Sequence, residues 1–279
     1  MRFSNSKLDL YKQCPQKYKF QYIDKLKKDE TPAALLFGSA IDNALNYVLT
    51  CKQKLRIPKH QVAKWLFLRG MKKWTGQNPL IYFKGEQPPG VEEPTELQVW
   101  EHLCMLGQKM MDTYIDEILP EFVSISAVQI RKEIKNADGD ELILIIDFVG
   151  TLRNGFPGVE DGFSGVFDNK TASQPYPKNS VKKSQQLAIY AEQIETRNAA
   201  YIVLEKKLKD GKVKWKIIPD TVEEAKIEEV YEDISITMGN IKAELFPKNE
   251  KSCYAFGRKC SYWGLCKYGS MKDIIKSDR

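Results

Sequence analysis

No apolar run in this chain approaches the roughly 18 residues that a membrane helix needs, so a membrane span is not expected. The opening MRFSNSKLDLYKQC lacks the apolar core of a signal peptide. A reducing cytoplasm is therefore the expected compartment. There is no G-x-x-x-x-G-K-[ST] loop, which argues against a nucleotide-driven motor on the same chain. Internal repeats and low-complexity tracts are also missing, which excludes solenoids and arrays. What is present is ordinary for a globular protein: 279 residues, 42% hydrophobic and 29% charged. That length suffices for one large core, or one core with an appended subdomain. The net charge of +6 is unevenly placed. Residues 1–30 hold eight Lys/Arg against four Asp/Glu, and residues 248–279 hold eight against three, on a slightly acidic body. Two basic ends that meet in space would make a polyanion-binding patch; two separate ones are solvated tails.

Hydrophobic periodicity and turn residues predict a helix over 4–24 capped by Ser4 or Ser6, a second over 33–54, and a third from beyond Pro58 to about Trp74. Residues 75–94, rich in Gly and Pro, read as a surface loop. Thr95 then caps a long helix to about Leu119. Strands are predicted over 121–135, 140–152 and 163–170, the first two joined by the turn Asp138-Gly-Asp140. A helix over 180–197, strands over 200–208 and 212–218, and a helix over 221–245 complete the series. The expected fold class is α/β or α+β, a mixed sheet with helices on both faces.

The sheet segments carry an anomaly. The apolar run LILIID ends in Asp147, on the strand face shared by Ile143 and Ile145, and the next strand ends Asp168-Asn169-Lys170. Side chains alternate across a strand, so Asp168 and Lys170 point one way and Asn169 the other. If Asp147 ends the antiparallel neighbour, two carboxylates and an ammonium converge. Two acids pushed together repel unless a cation lies between them, and such oxygen ligands suit Mg²⁺ or Mn²⁺. A metal held there polarises a phosphodiester and acidifies a bound water. Taken alone, D-x-K is common, and Asp168 and Lys170 read equally well as a structural ion pair.

With its surroundings the segment resembles the PD-(D/E)xK nuclease superfamily, and within it the RecB-type nucleases. The resemblance rests on Gly38-Ser-Ala-Ile-Asp42, Asp147, Asp168-Asn-Lys170 and Gln186-Leu-Ala-Ile-Tyr190, in that order over most of the chain. It implies a restriction-endonuclease-like core in which Asp147 and Asp168 bind metal. Asp42 is implied as a third ligand, and the main-chain carbonyl of Asn169 as a further one. Lys170 is implied to orient or activate the water. Gln186 and Tyr190, four apart on one helix face, would hold a DNA phosphate or the lysine. The chain departs from the family at Asp42, where a histidine is usual, so an oxygen ligand replaces a nitrogen one and preference shifts toward Mg²⁺.

Of six cysteines, Cys51 and Cys104 fall in helical patterns and read as small core residues. Cys253, Cys260 and Cys266 lie within 14 residues among aromatic and basic side chains. They lack a fourth local ligand, for which Cys14 is the candidate. Four thiolates hold zinc or an iron-sulfur cluster, and the sulfur count does not choose between them. The resemblance implies a four-iron four-sulfur (4Fe-4S) cluster on these four cysteines, as in AddB-like members, stapling the N- and C-terminal segments. The spacing C-x6-C-x5-C is wider than the C-x2-C-x5-C of some members. Aromatic residues lie among the terminal basic ones: Tyr11, Tyr18, Phe20, Tyr22, Tyr254, Phe256, Tyr262 and Trp263. Each is either a core residue or a stacking platform for a single strand.

The expectation is one nuclease domain, with a helical subdomain over 33–119, a catalytic core over 120–246, and a cluster region of 1–30 plus 247–279. Its implied activity is a metal-dependent DNA exonuclease of replication, recombination or repair, acting on DNA that is single-stranded or has a free end, alone or with partner proteins. A compact chain of this kind suits a phage, and the expected compartment is then the host's cytoplasm. Two other readings stay open: a DNA-end-binding module of a recombination complex with little activity, and an RNA-directed nuclease.

Overall fold

The computed structural model describes residues 1–136, 139–254 and 259–276; Asp138 of the expected turn and Phe256 lie outside the described residues. In chain order the elements are β1 (Arg2–Ser4), α1 (Asn5–Gln13), α2 (Pro15–Tyr18), β2 (Leu26–Lys28), β3 (Thr31–Pro32), α3 (Ala33–Gln53), α4 (His60–Met71), β4 (Leu80–Ile81), α5 (Glu96–Thr113), β5 (Phe122–Lys135), β6 (Glu141–Leu152), β7 (Ser164–Ala172), α6 (Gln185–Gln193), β8 (Asn198–Lys209), β9 (Lys212–Thr221), α7 (Glu224–Lys242), α8 (Trp263–Tyr268) and β10 (Ile274–Lys276). No helix among the described residues is long and apolar enough to cross a membrane.

The chain divides into two compact units, one of Met1–Glu30, Glu133–Leu144 and Glu228–Arg279, the other of Thr31–Lys132 and Ile145–Ile227. Within the second unit the sheet runs β6-β7-β8-β9, with β5 beside β6. β6 and β7 are antiparallel, β7 and β8 parallel, β8 and β9 antiparallel, so the sheet is mixed. One face packs Phe148, Phe167, Ala200 and Ile202 against α3, α4 and α5. Phe148 and Phe167 stack at 5.1 Å, and Phe122 meets both edge-on. Glycine allows the helices above this face to approach closely: a Cβ on Gly107 would lie 2.0 Å from the Phe67 ring, and one on Gly70 2.7 Å from Ala40 Cβ. α6 covers β7 and β8 from the other face, where Ser184 and Tyr201 join hydroxyls at 2.6 Å.

The first unit pairs β1 in parallel with the opening residues of β6, and β2 with β10 in antiparallel fashion. The expected helix over 4–24 is broken here. Ser4 caps α1, but Cys14 is extended (φ −162°) and Pro15 starts α2, because proline disfavours helical backbone in the residue before it. A π turn over Lys19–Ile23 follows. Tyr11, Tyr18 and Tyr262 are buried, and Tyr11 and Tyr18 pack against Phe246. These three rings are core residues and cannot stack on bases.

The expected surface loop over 75–94 is another departure. It contributes β4, which pairs with β3, and buries Leu80 and Glu86. Glu86 Oε1 lies 2.6 Å from Lys206 Nζ with both side chains at most 5% exposed, and Glu86 Oε2 accepts the Phe83 N–H. The helix expected over 180–197 is shorter, starting at the Ser184 cap.

Removing one partner of a buried ion pair strands the other's charge. Lys206→Met should therefore destabilise the protein by roughly 3–5 kcal/mol in urea unfolding, and Glu86→Leu added to it should recover most of the loss.

Candidate active site

The antiparallel ladder of β6 and β7 runs from Thr151↔Ser164 to Phe148↔Phe167 and stops, while β7 continues beside β8 as far as Ala172↔Glu205. The next partners in the interrupted register are Asp147 and Asp168. Instead of a ladder bond, the side chain of Asp147 takes over: its Oδ2 accepts the Asn169 N–H at 2.9 Å. Asp147 is thus an interior residue of β6, which continues to Leu152, and it sits where the two strands part.

Asp168 is 1% exposed. Its Oδ2 lies 2.5 Å from Lys170 Nζ in an ion pair and has no other partner among the described residues. Lys170 Nζ also donates to Gln186 Oε1 at 3.2 Å, Gln186 Nε2 donates to the Tyr190 hydroxyl at 2.9 Å, and that hydroxyl donates to the Ile145 carbonyl at 2.6 Å. This chain ties α6 to β7 and to β6 two residues before Asp147. Tyr190 is 4% exposed, and its hydroxyl is engaged by Gln186 and Ile145.

Asp42, on α3, hydrogen-bonds Asn46 and lies close enough to Asp168 and Asp147 for their charges to interact. Burial first, and Asp168 next, raise its proton affinity. Asp147 is raised for the same two reasons, partly opposed by the Asn169 N–H. Burial raises Asp168 too, against Lys170. Burial works against the charge of Lys170, but Asp168 and Asp147 outweigh it and hold the ammonium above its ordinary value.

Three carboxylates of raised proton affinity around one ammonium favour the approach of a further cation. The donor set fits Mg²⁺ or Mn²⁺. Among the described residues no group of three His, Cys, Asp or Glu side chains is arranged to hold a metal ion. Two carboxylates completed by waters are a usual Mg²⁺ arrangement. Asn169 turns its side chain away, its Oδ1 accepting from the Tyr114 hydroxyl at 2.9 Å, and has only its main-chain carbonyl to offer.

Sequence reasoning missed Tyr114, which is fully buried at the start of a π turn (Tyr114–Ile118). It also missed Tyr201, whose ring lies under Lys170 Nζ at 5.8 Å. The apolar spacing Met110, Tyr114, Ile118 continues the helical pattern unbroken, so nothing local marked the π turn.

The six cysteines are all free. Cys104 is buried, its thiol pushed up to about 12 by burial and by Glu101, and Cys51 is half-buried. In the first unit the Cys260 N–H donates to the Cys253 carbonyl at 2.8 Å. The Cys253 thiol is raised by burial, then by Cys260, Cys266 and Cys14, so those three thiols lie within electrostatic reach of Cys253.

The PD-(D/E)XK nuclease superfamily model matches residues 2–267, and the chain belongs to that superfamily. The crystal structure of a protein named "Putative exonuclease" from Eubacterium rectale shares the fold at 13% identity, covering 96% of this chain and 94% of that one with a TM-score of 0.51. A second solved structure, SSO0001, aligns at 12% identity over 88% of each chain with a TM-score of 0.31, too low to carry an argument. No curated protein matches.

Neutralising one buried acid relieves repulsion. In chelator-treated protein, Asp147→Asn should raise the melting temperature by roughly 2–4 °C per kcal/mol relieved. The native Asp147 binds its proton more tightly folded than unfolded. Its contribution is therefore present below its ordinary value of 3.8 and lost as pH rises from there through the elevated folded value. Melting curves of the chelated protein should show this loss on going from mildly acidic to neutral pH, and Asp147→Asn should flatten it.

Proposed function

We propose that the protein is a divalent-metal-dependent deoxyribonuclease of the RecB type, an exonuclease hydrolysing phosphodiester bonds at DNA ends or in single strands, carrying a 4Fe-4S cluster on Cys14, Cys253, Cys260 and Cys266. The observation that carries the reading is the meeting of Asp147, Asp168 and Lys170 where β6 and β7 separate, tied by Gln186 and Tyr190 to the main chain of β6. Work in recombination, repair or replication, with partner proteins and in a phage context, belongs to the same reading.

Asp147 and Asp168, with the Asn169 carbonyl and Asp42 alongside, would hold a Mg²⁺ or Mn²⁺ ion, which would supply a Lewis acid and acidify a water. The rest falls to the chain. Lys170 keeps its proton at neutral pH, so it orients the attacking water or a phosphate oxygen and offsets developing negative charge, and it is not the base. Two of its three N–H groups face Asp168 and Gln186, which leaves one for the substrate. Gln186 and Tyr190 position it. Cys14, Cys253, Cys260 and Cys266 would hold the cluster, which would crosslink the N- and C-terminal segments; the reach of the Cys253 thiol to the other three supports that assignment.

A second reading, a DNA-end-binding module with little cleavage, is favoured by one observation: Asp42, in the place of the usual histidine, is engaged by Asn46. Asp42→His should raise cleavage if that substitution is what limits the site.

With Mg²⁺ or Mn²⁺, the wild type should shorten end-labelled single-stranded or duplex DNA, and Asp168→Ala should reduce the rate by at least about a thousandfold, the scale of several kcal/mol of lost charge stabilisation. A wild type that binds ends but cuts nothing with either ion decides for the binding module. Protein purified without oxygen should be brown and contain iron, and Cys260→Ser should lose both colour and thermal stability; a colourless, zinc-containing protein rejects the cluster.

A further inference from the structure

Beside the reaction centre lies an aromatic side chain that neither the motifs nor the proposed chemistry uses. Residues 173–184, SQPYPKNSVKKS, join β7 to α6, so they leave the strand of Asp168 and Lys170 and return to the helix of Gln186. Pro175 and Pro177 flank Tyr176 and restrict its backbone. Lys216 Nζ donates to its carbonyl from β9. Its ring packs edge-on against Tyr201, 5.4 Å between centroids at 73°. Tyr201 is itself held by Ser184 and lies under the Lys170 ammonium. Tyr176 is therefore a fixed ring one side chain away from the lysine.

The other tyrosines of this region, Tyr114, Tyr190 and Tyr201, are all buried. Tyr176 is only half-buried, so part of its ring stays accessible. The same loop exposes Lys178 and Lys183. A supported ring followed by exposed cations matches the two requirements of single-strand binding, a π face for a base and positive charge for the backbone.

We propose that Tyr176 forms one wall of a nucleotide subsite, stacking on the base next to the scissile phosphate while Lys178 and Lys183 meet the adjoining backbone. This deepens the nuclease reading and rests on it. Because the contact is a stack, it selects for an unpaired base without reading its identity, which makes Tyr176 a substrate-binding residue with a preference for frayed or single-stranded ends.

The test uses short single-stranded oligonucleotides carrying 2-aminopurine at successive positions from one end, titrated with the full chain in Ca²⁺. Wild type should quench one position selectively. Tyr176→Leu should abolish that quench and bind roughly tenfold more weakly, the scale of one base–ring stack, whereas Tyr176→Phe should keep both. Replacing the quenched nucleotide by an abasic one should weaken wild type and leave Tyr176→Leu unaffected, a non-additivity that general misfolding does not produce. Absence of a selective quench overturns the proposal, as does a Phe variant as weak as the Leu variant, or equal sensitivity of wild type and Leu variant to the abasic site. Cleavage with Mg²⁺ or Mn²⁺ is scored separately: an inactive wild type that still quenches sinks the nuclease reading alone, and an active one without quench sinks the stack alone.

Discussion

Everything at this site depends on a strand pairing that stops early. β7 is bound on both sides up to Phe167, and from Asp168 onward only β8 remains as its backbone partner. The Asn169 N–H, left without a ladder acceptor, is satisfied by the Asp147 carboxylate. That single bond keeps a buried donor from going unpaired. It also holds Asp147 against Asp168, brings Lys170 between charges that repel, and aims the lysine at α6.

The arrangement is electrostatically unfavourable by itself, and its setting shows how the fold sustains it. On the opposite face of the same strands, Phe122, Phe148 and Phe167 form a compact aromatic cluster whose burial offsets the strain of concentrating charge. The carboxylates stand on rigid strands, the lysine is held by a hydrogen-bonded chain, and Tyr114 supports the intervening Asn169 from behind. A site so braced cannot relax its acids apart.

The parts of the site legible in the sequence were those encoded by short periodicities. The two-residue spacing of Asp168 and Lys170 placed them on one side, and the four-residue spacing of Gln186 and Tyr190 placed them on one helix face. Strands and the mixed α/β class followed from alternation and turn residues. What escaped were contacts between distant segments. Tyr114 meets Asn169 across 55 residues, and Glu86 meets Lys206 across 120. Nothing local marks either pair, and the second turned an apparent surface loop into a buried one. The break at Cys14 was a local signal left unread, because the aromatic stripe from Tyr11 to Tyr22 spoke for a continuous helix more strongly than Pro15 spoke against it.

The outer border of the sheet bears on how molecules of this protein treat one another. β9 closes the strand order, and an unpaired strand border invites pairing between copies. This one carries the exposed Lys212 and Lys214 in alternation and then Pro219, which repel a like strand and withhold an amide. Self-association by strand addition is discouraged along this side, so the crowded, concentrated conditions of synthesis hold less risk of fibrillar misassembly for a chain whose chemistry depends on sheet geometry.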